Sequence, residues 1–561
     1  MPFMTLEKRE KFAIWGLLVF LFALASILPS VLTTTYASPD ETATAIVAQN
    51  IAARGQAFLI EPLAQVFPWL HPRSWVSAGE HIVPVGFLGW PWLMSFFSGV
   101  NHGAWLSWIA ALIIVSSAWP FYHLLRRYYG MVPAWWGTLV AFTLPPFILY
   151  ADRSLFSNAA VIAIGLWSAW MISVIARSES ASDAAISDHA ERLLRRMTPR
   201  NDGIFLLGFL SALTAAIRPI ELLWIIPWWL WAARGWRPSK QDWQMIGLGA
   251  SIVFIPMMVL AYQTYGTALG FGYLMRDNIS TLSQLQPTTY NPQPTLQLPF
   301  GFDVHHILKN IMAYFIRLLW PWMLIVVVAL YVAWKDRRSL QVFKSTPFVL
   351  VAWTMFVMLI IYGSGWYADH IGFWAPTIGN SFLRYTLPLA LFIGWAAAYL
   401  WKYFGDANTP AIRRTGIWRN EKRSGAPSQK MVAMIIIGIF LVGFGIYRAV
   451  FADDESLRFT RVELQRYGAI RASAHVWFEP GDVIASETSD KIFFPDFRAV
   501  SPLPPKTELA RLARLSGQRV GFFGRPLSQE QKDAWLAVGL EAQELASFSR
   551  ERLYLLTLRT P

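Results

Sequence analysis

The sequence predicts a polytopic α-helical membrane protein of about 11 spans plus a re-entrant or interfacial segment, ending in a small C-terminal α/β domain outside the cytoplasm. Three observations predict it. Of 561 residues, 55% are hydrophobic and only 15% charged, with a positive mean hydropathy, which is too apolar for a soluble chain of several domains. Apolar runs near the ~20 residues that a helix needs to cross a bilayer recur throughout the first 450 positions. The chain also carries 29 Trp, with clusters such as Trp135-Trp136 and Trp228-Trp229 near the ends of apolar runs. Amphipathic rings favour the headgroup region there.

The spanning segments read as 12–33, 103–125, 132–150, 156–176, 203–217, 219–233, 243–262, 309–333, 346–363, 384–404 and 431–450. The first follows Lys8, Arg9 and Lys11 and resembles a signal peptide, but it is longer than the usual apolar core of one. It reads as an uncleaved first helix. A further run, Ile82 to Val100, is interrupted by Pro84, Gly86, Gly89, Pro91 and Gly99. If it lies in the interface or re-enters, the Lys- and Arg-rich connections fall on the N-terminal side of the membrane with an asymmetry of about four to one. The positive-inside rule then puts the N-terminus in the cytoplasm, in a plasma (inner) membrane setting. Outer loops 34–102, 263–308 and 364–383 and the tail 451–561 face the other side, and loops of that length usually have a job. Residues 1–450 are thus expected to form the transmembrane module and 451–561 a separate domain.

The net charge of +13 does not indicate a nucleic-acid partner, because the basic residues punctuate the apolar segments rather than forming a patch. In the tail, acids and bases nearly balance. The chain has no Cys, which removes disulfides and thiol chemistry and leaves the compartment open. Short apolar runs at Val483-Ile484-Ala485, 519–523 and 553–556 alternate with helical stretches at 506–516 and 528–539, the pattern of a small α/β domain. No phosphate loop and no Ser/His nucleophile motif occur in it.

Ser38-Pro39-Asp40-Glu41-Thr42 follows the first span and leads into 43–54, whose apolar residues recur at helical spacing. Such a helix is expected in the outer interface with its acids at the N-terminal end, which favours negative charge. The plain alternative makes Asp40 a helix cap and Glu41 a first-turn acid. A Pro/Gly-broken run opening Glu80-His81-Ile82-Val83-Pro84 comes next. Later come Gly208 to Arg218-Pro219, and Ser381-Phe382-Leu383-Arg384-Tyr385-Thr386-Leu387-Pro388 entering a late span.

In order and spacing over roughly 10–400, this set resembles the GT-C glycosyltransferases of the protein-O-mannosyltransferase and aminoarabinose-transferase branch. In that branch an Asp, often followed by Glu, serves as catalytic base in the first outer loop, and a His/Lys-Pro-Pro-Leu segment lines the donor site. Here His81 is followed by Ile82-Val83-Pro84 instead. The resemblance implies inverting transfer of a sugar from a polyprenyl-phosphate donor to an acceptor lipid, glycan or protein on the extracytoplasmic side. Asp40 would be the base, with Glu41 beside it holding an acceptor, a metal or nothing. Arg384, Arg218, His81 and Tyr385 would hold the donor phosphate.

An ordinary carboxylate, with a pKa near ~4, is ionised at neutral pH and ready to accept the acceptor's proton, while cations stabilise the departing phosphate. No cofactor is firmly implied, and a divalent metal is left open. Arg218 and Arg384 lie near outer span ends, where a cation is paired, functional or snorkelling to headgroups. Asp152, in Tyr150-Ala151-Asp152-Arg153, reads either as a secondary acid or as a local partner of Arg153. His71 and Arg73 are candidates for the acceptor or phosphate, against a structural His-Pro turn. His305-His306 cannot chelate from one helix face, since adjacent residues point about 100° apart. A transporter or flippase of lipid-linked sugars is disfavoured by the scarcity of mid-span acids and the lack of matching halves. A membrane ligase or polymerase of surface polysaccharide would use a late-loop His such as His370.

Overall fold

In lipid, a backbone that leaves its N–H and C=O groups unpaired is unstable, so uninterrupted runs of Leu, Ile, Val, Phe and Trp fold as helices. A computed structural model describes residues 6–29, 35–99, 105–180, 200–273, 275, 300–335, 348–365, 367, 376–406, 429–452 and 455–559. Among them, four helices are long and apolar enough to cross a membrane: Leu106–Tyr129, Ser157–Ala176, Lys240–Tyr265 and Met431–Trp477. Three bent pairs bring the number up to seven if each pair is one span: Met131–Phe142 with Pro145–Asp152 (68°), Asn201–Ile217 with Pro219–Ala232 (115°), and Val304–Leu318 with Trp320–Lys335 (99°).

The bends depart from the straight segments expected over 132–150 and 309–333, and they join 203–217 to 219–233 through a sharp turn. Proline explains two of them, because it lacks an N–H and forces its predecessor out of helical geometry. Arg218, before Pro219, is extended at φ −155° and ψ 91°, and Leu144, before Pro145, at φ −60° and ψ 131°. The third follows a π-helical stretch, Ile311–Leu318, that closes at Leu319.

The chain divides into two compact units. The first comprises Met1–Leu28, Ala110–Ile252 and Pro292–Phe459 and holds most of the apolar helices. Without a hydrophobic drive between helices in lipid, close packing of small residues has to hold them. Helices Met131–Phe142 and Leu389–Asp406 meet at Gly137 and Gly394. A Cβ on Gly394 would lie 2.5 Å from the Gly137 carbonyl, and one on Gly137 would lie 2.5 Å from the Gly394 carbonyl. Ala141 and Ala398, each four residues on, complete the contact. Gly208 and Gly249 make a second such crossing, against the carbonyls of Ile246 and Phe205.

The second unit comprises Pro29–Ile109, Val253–Asn291 and Thr460–Pro561. Its small sheet has β1 (Leu59–Ile60), β2 (Trp75–Ala78) and β3 (His81–Pro84) in the antiparallel order β1-β3-β2. The described part of the run Ile82 to Val100 contains strand β3 followed by helix Gly89–Ser98. Residues 43–54 belong to helix Pro39–Arg54, and Ala43, Ala45, Ile46, Val47 and Ala48 are buried in this unit. The helix packs on Gly89–Ser98, where the Ser98 hydroxyl donates to the Ala48 carbonyl at 3.2 Å.

The α/β region expected at the C-terminus contains a five-stranded mixed sheet. Its strands are β4 (Val483–Ser486), β5 (Arg498–Val500), β6 (Val520–Gly524), β7 (Leu540–Phe548) and β8 (Glu551–Leu558), in the order β5-β4-β6-β8-β7. Strand β4 runs parallel to β5 and β6, and β8 antiparallel to β6 and β7. Helices Lys506–Ser516 and Gln529–Leu536 fall on the stretches read as helical. Phe67 and Leu70 from the first loop enter the same core as Val483, Leu509, Phe522 and Trp535.

On helix Leu457–Trp477, Arg471 grips Asp496 through two nitrogens, and His475 Nε2 lies 2.7 Å from the same carboxylate. Burial raises the Asp496 carboxyl, but the bonds from Arg471 and His475 outweigh it and hold it below its ordinary 3.8.

Two outcomes are expected. Gly394→Ala should destabilise the first unit by roughly 1–3 kcal/mol, seen as a lower thermal midpoint in detergent. Gly443→Ala, whose Cβ meets nothing within 4 Å, should not. An unchanged midpoint for Gly394→Ala would show that the crossing relaxes freely. Because the folded-state value of Asp496 is depressed, its stabilisation is present above about pH 4 and is lost as pH falls through that value. Arg471→Gln should move acid unfolding to higher pH, monitored by near-ultraviolet circular dichroism, and an unmoved transition would refute this.

Candidate functional site

Within the first unit, the break at Arg218-Pro219 opens a 3-10 turn, Pro219–Glu221, and brings three buried polar groups together. Arg218 Nε donates to Glu221 Oε1 at 3.1 Å, and a terminal Arg218 nitrogen donates to the Tyr362 hydroxyl at 2.9 Å. That hydroxyl donates to Glu221 Oε1 at 2.8 Å, closing a triangle. The Tyr362 ring stacks on Tyr385 at 4.6 Å and 5°, and Phe300 and Tyr367 pack at their edges.

Arg384 and Tyr385 lie on a short helix, Ser381–Tyr385, capped by the Asn380 side chain, which accepts from the Phe382 N–H at 2.9 Å. This helix is separate from Leu389–Asp406. Arg384 thus sits in the turn before the late span, which was expected to begin at 384, because Pro388 interrupts the helix. Arg384 is 8% exposed. Its guanidinium lies 4.4 Å over Phe156 and 5.1 Å over Tyr385, while Arg218 lies 5.3 Å over Tyr385. Two of the cations singled out from the sequence therefore converge on one phenol ring.

Asp152 is 2% exposed, and both its oxygens accept the Leu28 N–H, at 3.2 and 3.1 Å. The acid weighed as a partner of Arg153 holds the end of the first helical segment, and the Arg153 guanidinium lies 4.9 Å over Phe156. Sequence reasoning passed over Glu221, Tyr362 and the buried Glu455, which accepts from the Thr377 hydroxyl. Glu221, three residues after Arg218 on the far side of a proline, was the signal available.

Next to this cluster, an apolar cavity is lined by Trp224, Trp228, Trp231, Trp395, Phe392 and Pro388, among others. Several indole N–H groups are spent on protein acceptors: Trp224 on Glu221 (2.6 Å), Trp228 on Thr354 (3.0 Å) and Trp395 on Tyr129. The walls therefore present ring faces rather than donors.

Within the second unit, helix Pro39–Arg54 is capped by Ser38, whose side chain accepts from the Asp40 N–H at 3.3 Å. The cap weighed for Asp40 is thus taken by Ser38, and Asp40 is an exposed first-turn acid that accepts from the Ser74 hydroxyl at 2.5 Å. Ser74 holds φ at +65°, a left-handed conformation uncommon for a residue with a Cβ. Glu41 is 5% exposed. Burial, with the Glu41 charge adding to it, pushes the nearby Tyr36 phenol up to about 12.

Arg73 is engaged with Asp490, through its backbone N–H at 2.7 Å and its Nε at 2.8 Å, and with the Thr488 carbonyl. His71 Nδ1 lies 3.1 Å from the Pro72 carbonyl, and the His71 carbonyl accepts the Ser501 N–H at 3.3 Å. His81, on β3, packs its ring 4.5 Å from Phe58, and its buried Nδ1 has no hydrogen-bond partner among the described residues. His370 lies outside the described residues. Among the described residues, no three His, Asp or Glu side chains group as metal ligands.

No protein-family profile matches the sequence, and no curated protein matches it. Among solved structures, ArnT from Cupriavidus metallidurans bound to undecaprenyl phosphate is similar, at 12% identity and a TM-score of 0.51, with 96% of this chain and 98% of that one covered. The same protein in its apo state gives a TM-score of 0.50 at 12% identity, with 97% and 98% covered. At this identity the likeness is one of fold, and it runs nearly end to end. The chain shares the fold of these ArnT structures, the fold that the resemblance carried by its motifs implies.

Proposed function

We propose that this protein is a membrane glycosyltransferase that moves a sugar, with inversion, from a polyprenyl-phosphate donor to an acceptor on the extracytoplasmic side. The observation that carries this reading is the pairing of two buried guanidinium groups around Tyr385 with an apolar, Trp-lined cavity. Trp224 lines the cavity and donates to Glu221, and Pro388, four residues after Arg384, lines it too. Such a site suits a ligand with an anionic head and a long apolar tail. The fold likeness supports it, since the ArnT structure has undecaprenyl phosphate bound.

In the proposed reaction an acceptor hydroxyl attacks the anomeric carbon of the donor sugar. Asp40 takes the hydroxyl proton, the bond from carbon to phosphate oxygen breaks, and the polyprenyl phosphate leaves with its electron pair. Arg384 and Arg218 offset the charge on that phosphate, the guanidinium matching its oxygens in pairs. Tyr385 braces both arginines, and His81 is placed with the donor through the resemblance alone. Ser38 supports the Asp40 assignment by doing the capping. Arg73 and Asp152, both held by protein groups, act as anchors in this scheme, and His71 and Glu41 are assigned to the acceptor. The eleven-span, N-inside topology, with 1–450 as the membrane module and 451–561 outside, completes the proposal.

Purified protein in nanodiscs, offered a panel of radiolabelled polyprenyl-phosphate sugars and total membrane acceptors, tests the assignment. Wild type should transfer label, and Asp40→Asn, folded to the same thermal midpoint, should lose activity by on the order of 10²–10⁴-fold. If Asp40→Asn is unimpaired, the base assignment fails and the ligase reading around His370 takes its place.

A further inference from the structure

Glu221 has no step in the reaction proposed above, yet it is built into the site more firmly than any residue that does. It is 2% exposed. One oxygen accepts from Arg218 (3.1 Å) and Tyr362 (2.8 Å), and the other from the indole of Trp224 (2.6 Å). A single carboxylate thus touches the cation, the aromatic stack and the cavity wall. Its charge has a consequence of its own. Arg218 and Arg384 both lie within 5.3 Å of the Tyr385 ring centre. In a medium of low dielectric two cations on one ring repel, and an anionic ligand bound by both would be held hard. Glu221 offsets the charge of Arg218.

We infer that Glu221 is a positioning and charge-balancing residue for lipid-phosphate recognition: it holds Arg218 and Tyr362 in place and limits the net positive charge, so that the phosphate product is released. The inference rests on reading Arg218 and Arg384 as phosphate ligands. An acid next to a phosphate-binding arginine would be a poor choice if affinity alone were at stake. It fits a site that must let go of the same phosphate once the sugar has left. A carboxylate is also the group that can accept from a guanidinium, a phenol and an indole at once, since it offers about four lone-pair sites and no donor of its own.

The test uses the full chain in nanodiscs and undecaprenyl phosphate as the probe. Glu221→Gln keeps an acceptor oxygen and the side-chain volume but removes the charge. Its Kd for the probe should fall about tenfold, and kcat and KM for the donor should fall together as release slows. Damage to a merely structural contact would instead weaken binding, so an unchanged or raised Kd overturns the inference. Glu221→Met serves if Glu221→Gln does not fold: it too removes the charge at similar volume, so the probe should bind tighter, and an unchanged or raised Kd overturns the inference. Arg218→Gln and Arg384→Gln separate the two readings. If they weaken probe binding while the Glu221 variants do not tighten it, Glu221 alone is misassigned. If neither arginine matters, the phosphate reading falls, and the inference falls with it.

Discussion

Backbone polar groups cannot be left to water inside a bilayer, and this constraint shapes the first unit. Helices run until a proline or an unpaired turn stops them, and each stop has to be closed by the protein itself. The breaks at Leu144-Pro145, Arg218-Pro219 and Tyr385 to Pro388 are such stops. Two of them leave an arginine beside the break, and the helix that Pro145 opens ends at Asp152. Asp152 closes onto the Leu28 N–H, Arg218 onto Glu221 and Tyr362, and Arg384 onto Phe156 and Tyr385. The irregular backbone and the chemistry coincide because both need polar partners in an apolar setting.

The same economy governs the packing. The reciprocal Gly137 and Gly394 contact lets two helices approach to backbone distance, and that approach brings the Trp395 helix against Tyr128, Tyr129 and Trp231. The cavity wall is a by-product of this aromatic layer. Because its indole N–H groups bond to Glu221, Thr354 and Tyr129, the cavity favours an apolar occupant over a polar one. Glu221 couples the two features through Trp224.

The second unit solves a different problem, holding a short loop still. Arg73 and Glu61 are tied to Asp490 and Arg498, Lys491 donates to the Ala37 carbonyl, and Phe67 and Leu70 enter the core beneath the five-stranded sheet. Ser74 sits between the Arg73 anchor and strand β2, its carbonyl accepting the Val85 N–H at 2.9 Å. Its left-handed backbone is sustained by these neighbours. The Asp40 carboxylate meets a hydroxyl that the surrounding structure does not allow to drift.

The sequence by itself determined the solvent, the helical class, the α/β character of the tail and the candidate arginines, because composition and hydrophobic period are local properties. Ser38-Pro39-Asp40-Glu41 was legible as a helix start for the same reason. Tertiary structure alone decided that Ser38 caps that helix, that 81–98 is a strand followed by a helix, and that Arg218 and Arg384 share one ring across 166 positions of chain. It also decided the partners of Glu221 and Tyr362, which differ little in sequence from any acid or tyrosine near a span end. A buried charge is identified by the partner that neutralises it, and that partner is chosen by the packing of helices distant in sequence rather than by neighbouring residues.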